Sequence, residues 1–180
     1  MRAISKRSGP RWDTRFERAQ SLMSKLAPSR PRPSGRKQHF AIVASLFNRV
    51  YVQGLVDHAV KELRALSPSA NISIHQVPGA FEIPVVVREI AIKKDTHAIL
   101  ALGVILQGKT SHAQHLARSV TDALQKIAID HGVPVINAVL SLETESQARE
   151  RCLLSKINRG TEAARAAVTV GEVLDDLRSK

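Results

Sequence analysis

From residue 39 onward, short apolar runs alternate with longer stretches in which apolar positions recur every three or four residues. The short runs predict buried strands, and the three-to-four spacing predicts amphipathic helices. The predicted strands cover residues 39–47, 71–77, 97–106 and 133–140. The predicted helices cover residues 53–66, 81–94, 111–131, 145–154 and 160–178. This order of elements is typical of a parallel sheet covered by helices.

The third predicted strand, HAILALGVIL, is apolar along almost its whole length, as expected of a parallel strand that is covered on both faces. Right-handed crossover connections leave few topologies for such a chain. We therefore predict a three-layer α/β sandwich, in which a four-stranded parallel sheet of flavodoxin-like order 2-1-3-4 is flanked by helices. In these sheets ligands bind at the carboxyl ends of the strands. Four loops fall there, at residues 47–48, 78–82, 103–112 and 140–143.

The positive charge of the chain is concentrated at its beginning. The 180 residues carry a net charge of +11, yet residues 1–38 hold eleven Lys and Arg against two acidic residues. We predict that residues 1–38 form a basic, Pro-rich, mostly disordered N-terminal extension and that residues 39–180 form the α/β domain. The alternatives for the extension are an organellar transit peptide and an arm that binds nucleic acid non-specifically.

The same composition bears on the compartment and on membranes. No apolar run approaches the ~18 residues needed to span a bilayer, so no membrane association is expected. A single cysteine, Cys152, allows no internal disulfide and fits a reducing compartment. We therefore expect a cytoplasmic protein, or an organellar one if residues 1–38 are a transit peptide.

The loop after the third strand contains Gly108, Lys109 and Thr110 and leads to His112 at the start of a predicted helix. Helix-start amides, the helix dipole and the Lys109 ammonium favour a phosphate there, although a plain helix cap is the more common meaning of such a loop. A nucleotide-binding P-loop is rejected because the required earlier glycine is missing. His112 can exchange protons near neutral pH or be a structural or surface histidine. His115 has metal-pair spacing with His112, but no third ligand is close in sequence, so no metal is predicted.

Two other strand ends carry aromatic and polar side chains. Phe47 and Asn48 follow the first strand and offer an aromatic face and an amide, which suit a planar heterocycle. Phe81 and Glu82 open the helix after the second strand. Glu82 is either a cap that the helix dipole stabilises or an acceptor for hydroxyl and amine hydrogens, with Phe81 as an apolar wall.

Taken together, these motifs resemble those of the 6,7-dimethyl-8-ribityllumazine synthase family of riboflavin biosynthesis. The most specific are VPGAFEIP at residues 77–84 and Gly-x-Thr-x-His at residues 108–112. Others occur in the family's order across about residues 39–170, namely Phe47-Asn48, Gln53-Gly54-Leu55, Leu102-Gly103, GVPVI at residues 132–136 and Asn158-Arg159-Gly160.

The resemblance implies a transferase that condenses 5-amino-6-(D-ribitylamino)uracil with 3,4-dihydroxy-2-butanone 4-phosphate and needs no cofactor or metal. His112 would be the catalytic proton donor and acceptor. The phosphate would be bound by Lys109, Thr110 and, from a neighbouring subunit, Arg151. The ribitylaminouracil would be bound by Phe47, Asn48, Ala80, Phe81, Glu82, Val104, Ile105, Leu106 and Asn137, the last also from the neighbour.

The family resemblance also implies a homo-oligomer, a pentamer or a larger assembly. Riboflavin synthase is a candidate partner, but the sequence does not indicate whether the product passes directly to it. Five positions depart from the common family pattern: Gln107, Ala113, Gln114, Asn137 and Ser155. These departures bear on affinity and rate more than on the type of reaction. The alternative is a non-catalytic lumazine- or flavin-binding or shell-forming protein on the same fold.

Overall fold

Parallel strands and helices alternate through residues 30–108 and 110–179, the part of the chain that the computed structural model describes. The strands are β1 (His39–Ser45), β2 (Asn71–Val77), β3 (Ala98–Leu106) and β4 (Val135–Leu142). The α-helices are α1 (Arg49–Leu66), α2 (Ile83–Lys93), α3 (His112–His131), α4 (Glu145–Cys152) and α5 (Arg159–Arg178). A 3-10 turn (Ala80–Glu82) precedes α2.

The strands form one parallel sheet in the order β2-β1-β3-β4, which confirms the predicted topology. The pairing of β1 with β3 ends at Ala44 and Leu102, whereas the pairing of β3 with β4 continues to Leu106 and Leu142. The carboxyl end of β3 therefore projects beyond β1 by several residues. This projection borders the candidate site described below.

Helices cover both faces of the sheet because successive side chains of a strand point to opposite faces. Phe40 and Ile42 of β1 pack in the cluster that includes α1, α4 and α5. Ala41 and Val43 pack in the opposite cluster with α2 and α3. All four side chains are fully buried. The three-layer sandwich predicted from the sequence is thus confirmed.

Two glycines allow helix α1 to pack closely against the end of the chain. A Cβ at Gly160 would lie 2.1 Å from the backbone oxygen of Leu55, and a Cβ at Gly54 would lie 2.5 Å from the backbone oxygen of Cys152. No side chain fits at either contact without a shift of backbone. The glycines in the Gln53-Gly54-Leu55 and Asn158-Arg159-Gly160 blocks therefore have a packing role.

Element boundaries differ from the sequence prediction mainly near β1 and β4. Helix α1 begins at Arg49, four residues earlier than predicted. Its first turn escaped the prediction because it carries the exposed Val50 and shows no apolar periodicity. Strand β4 begins two residues later than predicted, at Val135, although the preceding Val133 is buried in the core. The extension predicted for residues 1–38 lies mostly outside the described residues, and its boundary stays a prediction.

Candidate active site

A cavity of about 370 Å³ opens at the carboxyl edge of the sheet, where the turn after β1, the turn after β2, the end of β3 and the start of α3 meet. Nine of the site residues expected from the sequence contribute to its lining: Phe47, Asn48, Ala80, Phe81, Glu82, Val104, Ile105, Leu106 and His112. Its size and its mixture of many apolar groups with a few polar ones suit a small organic ligand.

The turn after β1 brings Phe47 and Asn48 to the rim of the cavity. The Phe47 side chain is 73% exposed, so its ring is accessible to a ligand. Its backbone N–H donates to the Pro78 carbonyl at 3.1 Å, and the Leu46 N–H donates to the Val77 carbonyl at 2.8 Å. These bonds fasten the turn after β1 to the turn after β2.

The turn after β2 places a carboxylate at the cavity. Glu82 Oε2 accepts a hydrogen bond from the Gly79 N–H at 2.9 Å, which holds the carboxylate in place at the start of the helical segment. The capping role considered from the sequence is therefore present. A carboxylate has further acceptor capacity, so this cap does not prevent Glu82 from binding hydroxyl groups of a ligand.

Helix α3 begins at the cavity with His112. Its first turns line the cavity through His112, Ala113 and Leu116, and His112 is exposed. The partial positive charge at the start of a helix favours an anion nearby. His112 thus belongs both to the cavity lining and to the start of the helix, which suits a negatively charged group.

Four predicted site residues do not contribute to the cavity lining. Lys109 lies outside the described residues, and Thr110 is exposed in the loop before α3. Asn137 on β4 lines a separate groove between β4 and α5, and its amide nitrogen donates to Thr121 Oγ1 at 3.1 Å. Arg151 lies on α4, away from the cavity lining.

Arg151 has an unusual environment for a guanidinium. Its Nε atom is buried and has no hydrogen-bond partner within the described part of the chain. The neighbouring Cys152 is fully buried, and burial raises the pKa of its thiol to about 11 despite the opposing charge of Arg151. The thiol is therefore protonated and unreactive at neutral pH.

Three lining residues, Gly79, Ala113 and Leu116, had no ligand-binding role assigned from the sequence, although Gly79 lies in the loop at residues 78–82 that was selected there. Leu116 could have been predicted from the sequence, because a residue four positions after His112 lies on the same face of a helix. In residues 30–108 and 110–179, no three His, Cys, Asp or Glu side chains group as metal ligands would. No helix of the described chain has the length and apolar character needed to cross a membrane.

The fold defines a flavodoxin-like α/β protein with a cavity at the carboxyl edge of its sheet, where proteins of this architecture bind ligands. Residues 37–175 match the family model for 6,7-dimethyl-8-ribityllumazine synthase. The chain therefore belongs to the 6,7-dimethyl-8-ribityllumazine synthase family.

Relatives with the same name match most of the chain. The 6,7-dimethyl-8-ribityllumazine synthase of Leptothrix cholodnii is 35% identical over 144 residues, which cover 79% of this chain and 91% of that protein. That of Halorhodospira halophila is 36% identical over 141 residues, covering 78% and 90%. That of Stenotrophomonas maltophilia is 37% identical over 139 residues, covering 77% and 90%. These matches agree with the resemblance seen in the sequence motifs.

Proposed function

We propose that this protein is a transferase that condenses 5-amino-6-(D-ribitylamino)uracil with 3,4-dihydroxy-2-butanone 4-phosphate to give 6,7-dimethyl-8-ribityllumazine. The observation that carries the proposal is the single cavity at the carboxyl edge of the sheet, in which nine residues chosen from the sequence come together. Family membership supports the same reaction, since the three relatives above are named for it.

The pyrimidine substrate fits the apolar part of the cavity. Phe47 presents an exposed aromatic face for stacking on the uracil ring. Residues Val104 to Leu106 lie at the projecting end of β3, where they pair with β4 but with no residue of β1. We assign to the ring edge the backbone groups on the side away from β4, next to the Val104 carbonyl that already accepts from Asn48. Glu82 accepts hydrogen bonds from the ribityl hydroxyls through the capacity that its bond to Gly79 leaves.

The phosphate substrate fits the start of α3. Thr110 and the helix-start amides bind the phosphate, aided by Lys109. The amine of the pyrimidine attacks the ketone and loses water to give an imine, phosphate is then eliminated, and ring closure releases a second water. Each step moves protons, and we assign the donation and acceptance of these protons to His112, which lines the cavity at the start of α3.

The site is completed by a second copy of the chain. Arg151 and Asn137 do not reach the cavity of their own subunit, and by family resemblance both act on a neighbour's substrate. The Nε of Arg151 is buried and has no hydrogen-bond partner among residues 30–108 and 110–179, which agrees with a guanidinium that binds an anion or a partner chain. We therefore propose a homo-oligomer, a pentamer or larger. The cytoplasmic location stays a prediction, and riboflavin synthase stays a candidate partner.

The test is a steady-state assay of the purified chain with both substrates, in which the absorbance of the lumazine is followed against an enzyme-free control. We expect turnover above the spontaneous rate, and we expect His112→Ala to lower kcat by roughly 10²–10⁴-fold, as for a lost general acid and base. His115→Ala is the matched control, because His115 is an exposed histidine on the same helix that does not line the cavity.

Two outcomes would contradict this proposal. Lumazine binding without acceleration by the wild-type protein would indicate a non-catalytic binding protein. A loss of less than about threefold in His112→Ala would show that the histidine is not the proton donor and acceptor. The His115→Ala variant should remain close to wild type in either case.

A further inference from the structure

Asn48 has a backbone conformation that few residues adopt. Its φ of 57° and ψ of 40° lie in the left-handed region at the junction of β1 and α1. Asparagine tolerates this region better than most residues other than glycine. The Asn48 carbonyl accepts hydrogen bonds from the Tyr51 and Val52 N–H groups, so α1 starts from this residue.

The Asn48 side chain crosses from this junction to the neighbouring strand. Its Nδ2 donates to the backbone oxygen of Val104 on β3 at 2.8 Å. Val104 lies two residues beyond Leu102, the last β3 residue that pairs with β1. The amide therefore supplies the hydrogen bond that a longer β1 would have donated, and it does so from within the cavity lining.

Phe47 depends on this arrangement. Its ring is largely exposed, so core packing does not fix its orientation. The turn that carries it is bonded to the β2 side through the N–H groups of Leu46 and Phe47. On the β3 side it is bonded through the side chain of Asn48. Loss of that amide would leave the turn fastened on one side.

We infer that Asn48 is a positioning residue, whose bond to the Val104 carbonyl holds Phe47 over the cavity and so determines affinity for the pyrimidine ring. The sequence-based expectation was direct contact of the Asn48 amide with the heterocycle. The inference rests on the proposed function for its substrate. In it, Asn48 acts on the pyrimidine indirectly, because its bond to Val104 fixes the position of Phe47.

The test compares Asn48→Gly and Asn48→Asp with wild type. Glycine adopts the positive φ readily but has no side-chain amide to donate the hydrogen bond. Aspartate has nearly the same side-chain shape as asparagine but puts a carboxylate oxygen opposite the Val104 carbonyl. We expect the KM for the pyrimidine to rise about three- to tenfold in Asn48→Gly, and at least as much in Asn48→Asp, as for a lost hydrogen bond. We expect the KM for the phosphate substrate to change much less.

Lys94→Gly is the control for the backbone. Lys94 has a similar φ of 53° at the end of α2 and is not part of the cavity lining. This variant should leave both KM values unchanged. It thus distinguishes the effect of placing glycine at any left-handed position from the effect of losing the side-chain amide of Asn48. Equal rises in both KM values for the Asn48 variants would indicate a general structural defect and would overturn the inference.

Two further measurements keep the inference independent of turnover. Fluorescence titration with 6,7-dimethyl-8-ribityllumazine should give a Kd that rises with the pyrimidine KM. Hydrogen exchange should show faster exchange in residues 46–52 of Asn48→Gly than of wild type. A wild-type protein that neither binds the lumazine nor turns over would refute the proposed function alone, whereas unchanged exchange in Asn48→Gly would refute the positioning role.

Discussion

Asn158 connects α4, the helix of Arg151, to the start of α5, and its removal should be among the more damaging single changes outside the cavity. The residue is 2% exposed. Its Oδ1 accepts from the N–H groups of Gly160 at 2.9 Å and Thr161 at 3.2 Å. Its Nδ2 donates to the carbonyls of Cys152 at 2.8 Å and Leu154 at 3.2 Å.

The cost of Asn158→Ala follows from these four bonds. Loss of the helix N-cap costs about 1 kcal/mol. The Cys152 carbonyl lies in a buried site and costs about 1–2 kcal/mol when it loses its donor, whereas the Leu154 carbonyl belongs to an exposed residue and can bond to water instead. We therefore expect the free energy of unfolding to fall by about 2–3 kcal/mol, measured by urea denaturation at one fixed protein concentration because assembly also contributes to apparent stability.

Thr144→Ala is the matched control. Thr144 caps the start of α4, but it is exposed and accepts one hydrogen bond, from the Gln147 N–H at 3.2 Å. Its loss should cost about 0.5–1 kcal/mol. If Asn158→Ala cost no more than Thr144→Ala, burial and the three additional bonds would not have the importance assigned to them.

Two other predictions concern charge. Arg151→Ala should raise the KM for the phosphate substrate by roughly tenfold or more and the KM for the pyrimidine far less, because charge-assisted bonds to an anion are worth ~1.5–3 kcal/mol. The control is Arg149→Ala, a change of an exposed arginine on the same helix, which should alter neither KM. Equal effects of Arg151→Ala on both substrates would contradict the assignment. Burial alone would raise the pKa of Glu62, but its hydrogen bonds and ion pairs with Arg165 and Arg30 outweigh that effect and lower the pKa. Stability from this depressed pKa is present above the unfolded-state value of about 4.3 and is lost as the pH falls through the folded-state pKa. Urea unfolding of wild type and Glu62→Gln should therefore differ at neutral pH and converge in acid, and a difference independent of pH would refute the electrostatic account.

The sequence predicted the order and type of the described elements because each has strong local signals. Strand β2 was predicted with its observed bounds, Asn71–Val77, because Pro78 and Gly79 end it. The start predicted for strand β4 was two residues too early, because Val133 is as apolar as a strand residue and is buried. Pairing with β3 starts only at Val135. Which apolar residues join a sheet depends on the partner strand, and local periodicity does not contain that information.

The same limit applies to the site. Loops at strand ends were predicted because a parallel sheet places them at one edge, and those loops do meet at the cavity. The projection of β3 beyond β1 was not predictable, since it is set by the register of two separate pairings. Without that projection, the side chain of Asn48 has no evident acceptor, which is why the sequence favoured a ligand as its partner.

The register of the sheet and the division of the substrates are connected. Strand β3 extends beyond the carboxyl end of β1. The end of β3 is therefore bordered on one side by the turn that carries Phe47 and on the other by β4. The cavity that we propose for the pyrimidine ring is lined by residues of one chain, and the neighbour's Asn137 is the one further residue proposed for it. Of the described residues that are proposed for the phosphate, Thr110 lies in the loop before α3 and Arg151 lies on α4, outside the lining of its own subunit's cavity. Under the proposed function, binding of the pyrimidine depends chiefly on the fold of one subunit, whereas secure binding of the phosphate depends on assembly.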